Sequence, residues 1–379
     1  MNELFFELIQ IAIGSRVCLS HTPSAEEWKQ LYEMAKKQSL VGVCFAGVQS
    51  LQPQQQAPTA TGSAQAEMLY LTWMGMAAKI QQKNQTVDEQ CVNLQKRLAV
   101  DGFRSCILKG QGVGRLYTEH LLGLRQSGDI DIWLDADTDT ILEYVKRVAP
   151  TDEINELHAH FEVVDDTEVE IHFTPSKLTN RIANKKLQRW FAKEQEAQFD
   201  NKIGLSDGED ISVPTTKFNL VYQLLHIYRH LFGEGIGLRQ LMDYYMVLRT
   251  VDDGKEGSER YREVKKVVSC LGLERFASAL MWVLGYVFGL PKDQMIWEPE
   301  ENVGRFLLGE IMLMGNFGHD DDRYRLSKDD SHLKRFMLMT KSKFRFVKYF
   351  PSEVFWQPVD TFFRFFEIRS IRRKAARMK

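Results

Sequence analysis

Cysteine is scarce in this chain: five in 379 residues, an odd number, with no CxxC pair. Cys18, Cys44, Cys91, Cys106 and Cys270 mostly have apolar neighbours. This argues against a disulfide framework and a structural zinc site, and for reduced thiols in a cytoplasmic protein. Net charge is nearly absent too. Lys+Arg number 49 and Asp+Glu 51, a balance of -2, so bulk charge does not announce a nucleic-acid binder. Long apolar runs are missing as well. One long apolar stretch without charge, Phe276 to Leu290, contains Gly285 and Gly289 and stops at Pro291. It is shorter than the roughly 18–20 residues that span a bilayer, and it reads as a buried helix. The amino end, MNELFFELIQIAIG, carries Glu3 and Glu7 without a basic region. It reads as an amphipathic helix, not a signal peptide.

What remains is ordinary globular composition, 44% hydrophobic, enough for a large core without staples. At roughly 150 residues per domain, two or three domains are expected. Residues 1–98 read as an N-terminal helical region. Trp28, Leu31 and Ala35 recur at helical spacing behind Ser24, with Glu27 three residues on. Residues 52–66 hold two prolines and no large apolar group, which reads as a flexible linker. Residues 99–178 change texture: strand Ser105 to Leu108, a glycine turn, a short helix near Val113 to Glu119, strand 128–134 and helix Thr138 to Val148. Strands at Phe161 to Val164 and Glu168 to Phe173 complete this core. Residues 179–379 return to a 3.6-residue period, interrupted by a possible hairpin at Lys202 to Val213. The class is α+β: a small mixed sheet between N-terminal and C-terminal helical regions.

The chemistry gathers on the sheet. Along Gly128-Asp129-Ile130-Asp131-Ile132-Trp133, alternation sends Ile130 and Ile132 one way and both aspartates the other. Two adjacent carboxylates suit Mg²⁺, which favours one or two carboxylates plus substrate phosphates. A solvated strand face is the plainer alternative. In Glu168-Val169-Glu170-Ile171-His172 the polar face offers a further acid, which would complete a two-ion site for in-line displacement. An exposed edge strand is the alternative there. Leu108-Lys109-Gly110-Gln111-Gly112-Val113-Gly114 joins a strand to a helix. Its glycines let backbone N–H groups approach phosphate, and Lys109 supplies a point charge. The spacing is neither a Rossmann nor a Walker A signature. Arg115 or Arg125 offers a phosphate clamp, against the commoner surface arginine.

Together these stretches resemble the bacterial uncharacterised nucleotidyltransferase family, within the DNA-polymerase-β-like nucleotidyltransferase superfamily. Lys109-Gly110, Tyr117, Arg125, Gly128-Asp129-Ile130-Asp131 and Glu170-Ile171-His172 carry the likeness. It extends to Leu225-His226 through His230 and to Gly237-Leu238-Arg239-Gln240-Leu241-Met242-Asp243. The resemblance implies two Mg²⁺ ions on Asp129, Asp131 and Glu170. It also implies a nucleoside triphosphate held by Lys109, Gly110, Gln111, Gly128, Arg125 and Arg239. The implied reaction transfers a nucleoside monophosphate, AMP foremost, to a hydroxyl acceptor. Three departures stand out. Gln111 occupies the place of a serine, Trp133 that of an aliphatic residue, and Glu170 that of an aspartate. A non-catalytic nucleotide-binding or regulatory protein and an RNA-modifying nucleotidyltransferase are the alternatives.

Other groups have plainer readings. His226 and His230 share a helix face, and with Arg239 and Asp243 they either line the cleft or form a helix–helix hydrogen-bond network. His158 and His160 read as structural or surface residues, and His319-Asp320-Asp321-Asp322 as a solvated loop. From Lys334 onward, 13 Lys/Arg stand against 3 Asp/Glu, interleaved with Phe344, Phe346, Phe350, Phe362, Phe363, Phe365 and Phe366. Such a segment packs its aromatics on the domain, lies on an anionic membrane at the inner face, or binds RNA.

Overall fold

Ser24 starts its helix as the sequence requires. Its hydroxyl accepts from Glu27 N, and the Glu27 carboxylate accepts from Ser24 N at 2.8 Å. Those bonds hold the Glu27 carboxyl down at about 2. The computed structural model describes residues 1–51, 64–205, 208–250, 255–316, 341 and 343–377. Helices α1 (Asn2–Ala12), α2 (Ala25–Lys37) and α3 (Val41–Ser50) are followed by α4 (Ala64–Val100). The end of the stretch read as linker, residues 64–66, is therefore the first turn of α4. The rest of it, 52–63, lies outside the described residues. With 37 residues, α4 is about 55 Å long at 1.5 Å per residue. Trp73, Ala77 and Ile80 serve the helical core, whereas Val87, Cys91, Leu94 and Leu98 lie under the sheet.

The sheet contains β1 (Ser105–Ile107), β2 (Ile130–Leu134), β3 (His158–His160) and β4 (Val169–His172) in the order β1-β2-β4-β3. Only β2 and β4 run parallel, and the other pairs are antiparallel. The third strand is not at Phe161 to Val164. It lies three residues earlier, where the Asn155 side chain accepts from Leu157 N and His158 N and starts the extended run. Phe161, one residue past the strand, is fully buried, and its N still donates to Val169 O at 2.9 Å at the end of the β3–β4 pairing. Short α5 (Gln111–Gly114) follows β1, and α6 (Thr138–Val148), capped by Asp137, follows β2.

Both sheet faces are covered. Ile107, Ile130, Ile132, Leu134, Ala159 and Ile171 pack on α4 and α6. On the other face, Trp133 meets Phe199 and Phe218 at ring separations of 4.9 and 6.0 Å. Those two rings come from α7 (Arg181–Asp200) and α8 (Thr216–Phe232), between which stands the hairpin of β5 (Lys202–Gly204) and β6 (Asp210–Ser212). The tryptophan stands where an aliphatic side chain would be too short to meet these rings.

Next come α9 (Leu238–Leu248), α10 (Lys255–Leu271), α11 (Glu274–Phe288), α12 (Glu301–Met314) and α13 (Pro351–Arg377). The first helices and these later ones share one hydrophobic core. Gln10 Nε2 donates to Val287 O at 3.1 Å, and Ser15 Oγ to Phe288 O at 3.0 Å. The motif His319 to Asp322 lies outside the described residues.

Candidate active site

Register brings the acids together. Asp131 on β2 sits opposite Glu170 on β4, while His172 and His158 sit opposite each other on β4 and β3. Alternation puts all four on one face. Asp129 precedes β2 and is exposed at the strand entrance, whereas Asp131 is only 3% exposed. The glycine turn lies beside them. Gly110 adopts φ +60°, and a side chain there would meet the Asp129 carbonyl at 3.8 Å. Leu108 N donates to Asp131 O at 2.9 Å, which extends the β1–β2 pairing and aims Lys109 across the face. Lys109 Nζ lies 2.8 Å from Asp131 Oδ1.

Three basic side chains surround the acids. His172 Nε2 lies 2.9 Å from Asp131 Oδ1 and 3.4 Å from Glu170 Oε2. His158 Nδ1 lies 2.8 Å from the same Glu170 oxygen. Burial would raise the Asp131 carboxyl, but Lys109 and His172 outweigh it and hold it below its ordinary value. Burial likewise opposes ionisation of Glu170, and hydrogen bonds from His158 and His172 reverse that, holding it far below the carboxylate range. His172 is raised despite burial because it stands between Asp131 and Glu170. Asp129 goes the other way: partial desolvation, then repulsion from Asp131, raises it.

Among the described residues, Asp129, Asp131 and Glu170 do not form a cluster with all oxygens within 4.8 Å. His158, Glu170 and His172 do, and so do Glu153, His160 and Glu168. His158 and His160 thus both lie beside Glu170, at 2.8 and 3.9 Å. The His-Ala-His alternation, matching Glu170-Ile171-His172, was the signal available in the sequence.

The remaining residues divide. Gln111 is buried and turns away from the face, donating to Asn84 O at 3.2 Å and to the Asp88 carboxylate. Its amide thus anchors the turn to α4. Arg125 is neither a surface residue nor open to phosphate. Its Nε and Nη2 donate to Asp243 Oδ1 and Oδ2 at 2.7 and 2.8 Å, and Tyr117 OH donates to the same carboxylate at 2.8 Å. Asn84 Nδ2 donates to Gly123 O and Arg125 O at 2.8 and 2.7 Å, holding the segment that leads into β2. Arg239 Nη1 donates to Gln126 O at 2.8 Å, and the same atom lies 4.0 Å from where a side chain on Gly128 would begin. Its buried Nε has no hydrogen-bond partner among the described residues. Burial, and then Arg125, lower the Arg239 guanidinium to about 10. His226 and His230 stack edge-on along α8 at 4.3 Å, and neither belongs to a metal-sized cluster among the described residues.

The sheet thus aligns carboxylates beside a glycine turn. The chain belongs to the uncharacterised nucleotidyltransferase family, whose model matches residues 24–289, from the Ser24 cap to Gly289 after α11. A solved structure, an antigenic nucleotidyltransferase-like protein from Paracoccidioides brasiliensis, is similar at 14% identity. That match covers 57% of this chain and 95% of the other, with a TM-score of 0.30. Comparison with curated proteins finds no match.

Proposed function

We propose that this chain transfers a nucleoside monophosphate, AMP foremost, from a nucleoside triphosphate to a hydroxyl acceptor, in a site of the DNA-polymerase-β-like kind. The observation that carries this is the register of Asp131 against Glu170, with Asp129 two residues earlier beside the Gly110 turn. The donor set suits Mg²⁺ in kind, because carboxylate oxygens are hard ligands. Asp129, Asp131 and Glu170 would hold the ions, which supply charge neutralisation around the triphosphate when bound.

The chain's own groups do the positioning. Lys109 and the Gly110 turn hold phosphate. Arg239, beside Gly128 and with an unpartnered buried N–H, holds phosphate or ribose. The acceptor oxygen attacks the α-phosphorus, the bond to the bridging oxygen breaks, and pyrophosphate leaves. Glu170, kept ionised by His158 and His172, accepts the hydrogen bond of the acceptor hydroxyl, whose proton passes to water. Catalysis then rests on orientation and electrostatics.

Incubation with labelled ATP, CTP, GTP and UTP plus Mg²⁺ tests this. Label transfer and pyrophosphate release are expected from the wild type, with a loss of about 10²–10³ or more in Asp129→Asn/Asp131→Asn. Equal transfer by the variant overturns the proposal. The pairing of Asp131 with two cations favours one second reading, a nucleotide-binding protein that kept the fold without turnover. It requires nucleotide binding with no pyrophosphate release for any acceptor.

A further inference from the structure

The last helix is oriented unusually. Its three acids, Glu353, Asp360 and Glu367, recur every seven residues, two helical turns, and so share one stripe. That stripe faces the protein. Glu353 accepts from Thr179 Oγ1 at 2.6 Å and from Tyr228 OH at 2.7 Å. Asp360 lies 3.9 Å from Arg181, and Glu367 pairs with Lys177 and Arg181, each at 2.8 Å. Farther along, Arg372 Nε donates to Ile154 O, and Ile371 and Ala375 pack against the sheet core.

The opposite stripe runs through Phe355, Phe362, Phe366, Arg369 and Arg373, all exposed. Phe365 and Phe363 flank it at 59% and 44% exposure. Phe346 and Phe350, just before the helix, are buried in the helical core. The expected aromatic packing therefore stops at Phe350. Beyond it, large rings face outward, where a monomeric protein rarely leaves a contiguous apolar patch. This helix lies outside the residues that the family shares.

We propose that α13 is a peripheral docking surface for an anionic membrane. Phenylalanines at one end enter the acyl boundary, and Arg369, Arg373 and Arg377 at the other meet lipid phosphates. Charge decides the occupant. The outward stripe contains no carboxylate, so a second copy docked symmetrically through the same stripe offers its arginines nothing to pair with, whereas anionic lipid supplies both phosphate and hydrocarbon. No helix among the described residues is long and apolar enough to cross a membrane, so the association is interfacial.

Sedimentation of the full chain with vesicles tests this, comparing phosphatidylcholine alone with equal parts phosphatidylcholine and phosphatidylglycerol. Binding is expected to the mixed vesicles only. Phe362→Ser/Phe366→Ser should lower it by about tenfold or more, and Arg369→Glu/Arg373→Glu on the order of tenfold. All these side chains are exposed, so both variants should melt as the wild type does. Absence of vesicle binding, or equal binding by both variants, overturns the proposal. So does salt-sensitive capture of single-stranded RNA in place of vesicles, or a dimer that the phenylalanine substitutions dissolve.

Discussion

Asp243 never reaches the carboxylate face, yet it fixes the segment that leads there. It takes a fork of two hydrogen bonds from Arg125 and a third from Tyr117, all buried. Removing one partner of such a pair leaves a buried charge uncompensated, at about 3–5 kcal/mol. Asp243→Ala should lose about that much in denaturant unfolding, while Arg125→Met/Asp243→Leu should lose much less. Equal losses would show that packing, not charge, dominates there. The same pair shows where reading residues one by one fails. An arginine four positions before a DID strand looks like a phosphate ligand, and nothing local betrays a partner 118 residues away. Asp129, Asp131 and Glu170 were legible because alternation along a strand is local. The histidines that now hold Glu170 were underrated because their meaning depends on which strand lies beside them.

Among the elements, the segment entering β2 is held from two sides. Asn84 on α4 binds its carbonyls, and α3 presses Gly42 against the Leu124 backbone. A methyl on Gly42 would fall inside contact distance of the Leu124 carbonyl, which is backbone and cannot rotate away. Gly42→Ala should cost about 1–3 kcal/mol by overpacking and loosen Leu122 to Ser127. A lower melting temperature and faster amide exchange in that segment would register this. An unchanged exchange pattern would mean that α3 absorbs the shift instead. Strand boundaries were the least legible elements. Phe161 to Val164 is apolar and looked like a strand, yet pairing belongs to His158–His160. Those imidazoles are sheet residues, His158 opposite His172 and His160 opposite Glu170, a fact of pairing rather than of composition.

In the molecule as a whole, N-terminal and C-terminal helices form one core that grips the sheet from the Trp133 side. The buried histidines of α8 link that core to pH. Burial is the main cause that holds His226 well below 6.5, and the same cause takes His230 down to about 4. The unfolded chain takes up protons at the ordinary value, and the folded chain does not until its lowered one. The contribution of these two histidines is therefore full above pH 6.5 and falls as pH drops toward about 4. The share of His230 is on the order of 2–3 kcal/mol. Melting curves of His230→Gln should show a shallower decline across that window than the wild type, and parallel declines would refute the assignment. Periodicity and capping are properties of neighbouring residues, so the linear chain already contained the helices, the acidic strand and the α+β class. Long-range charge pairing is not local. The union of the two helical regions, the grip of Asp243 on Arg125, the turn of Gln111 away from the site and the inward acids of α13 arose only when distant segments met.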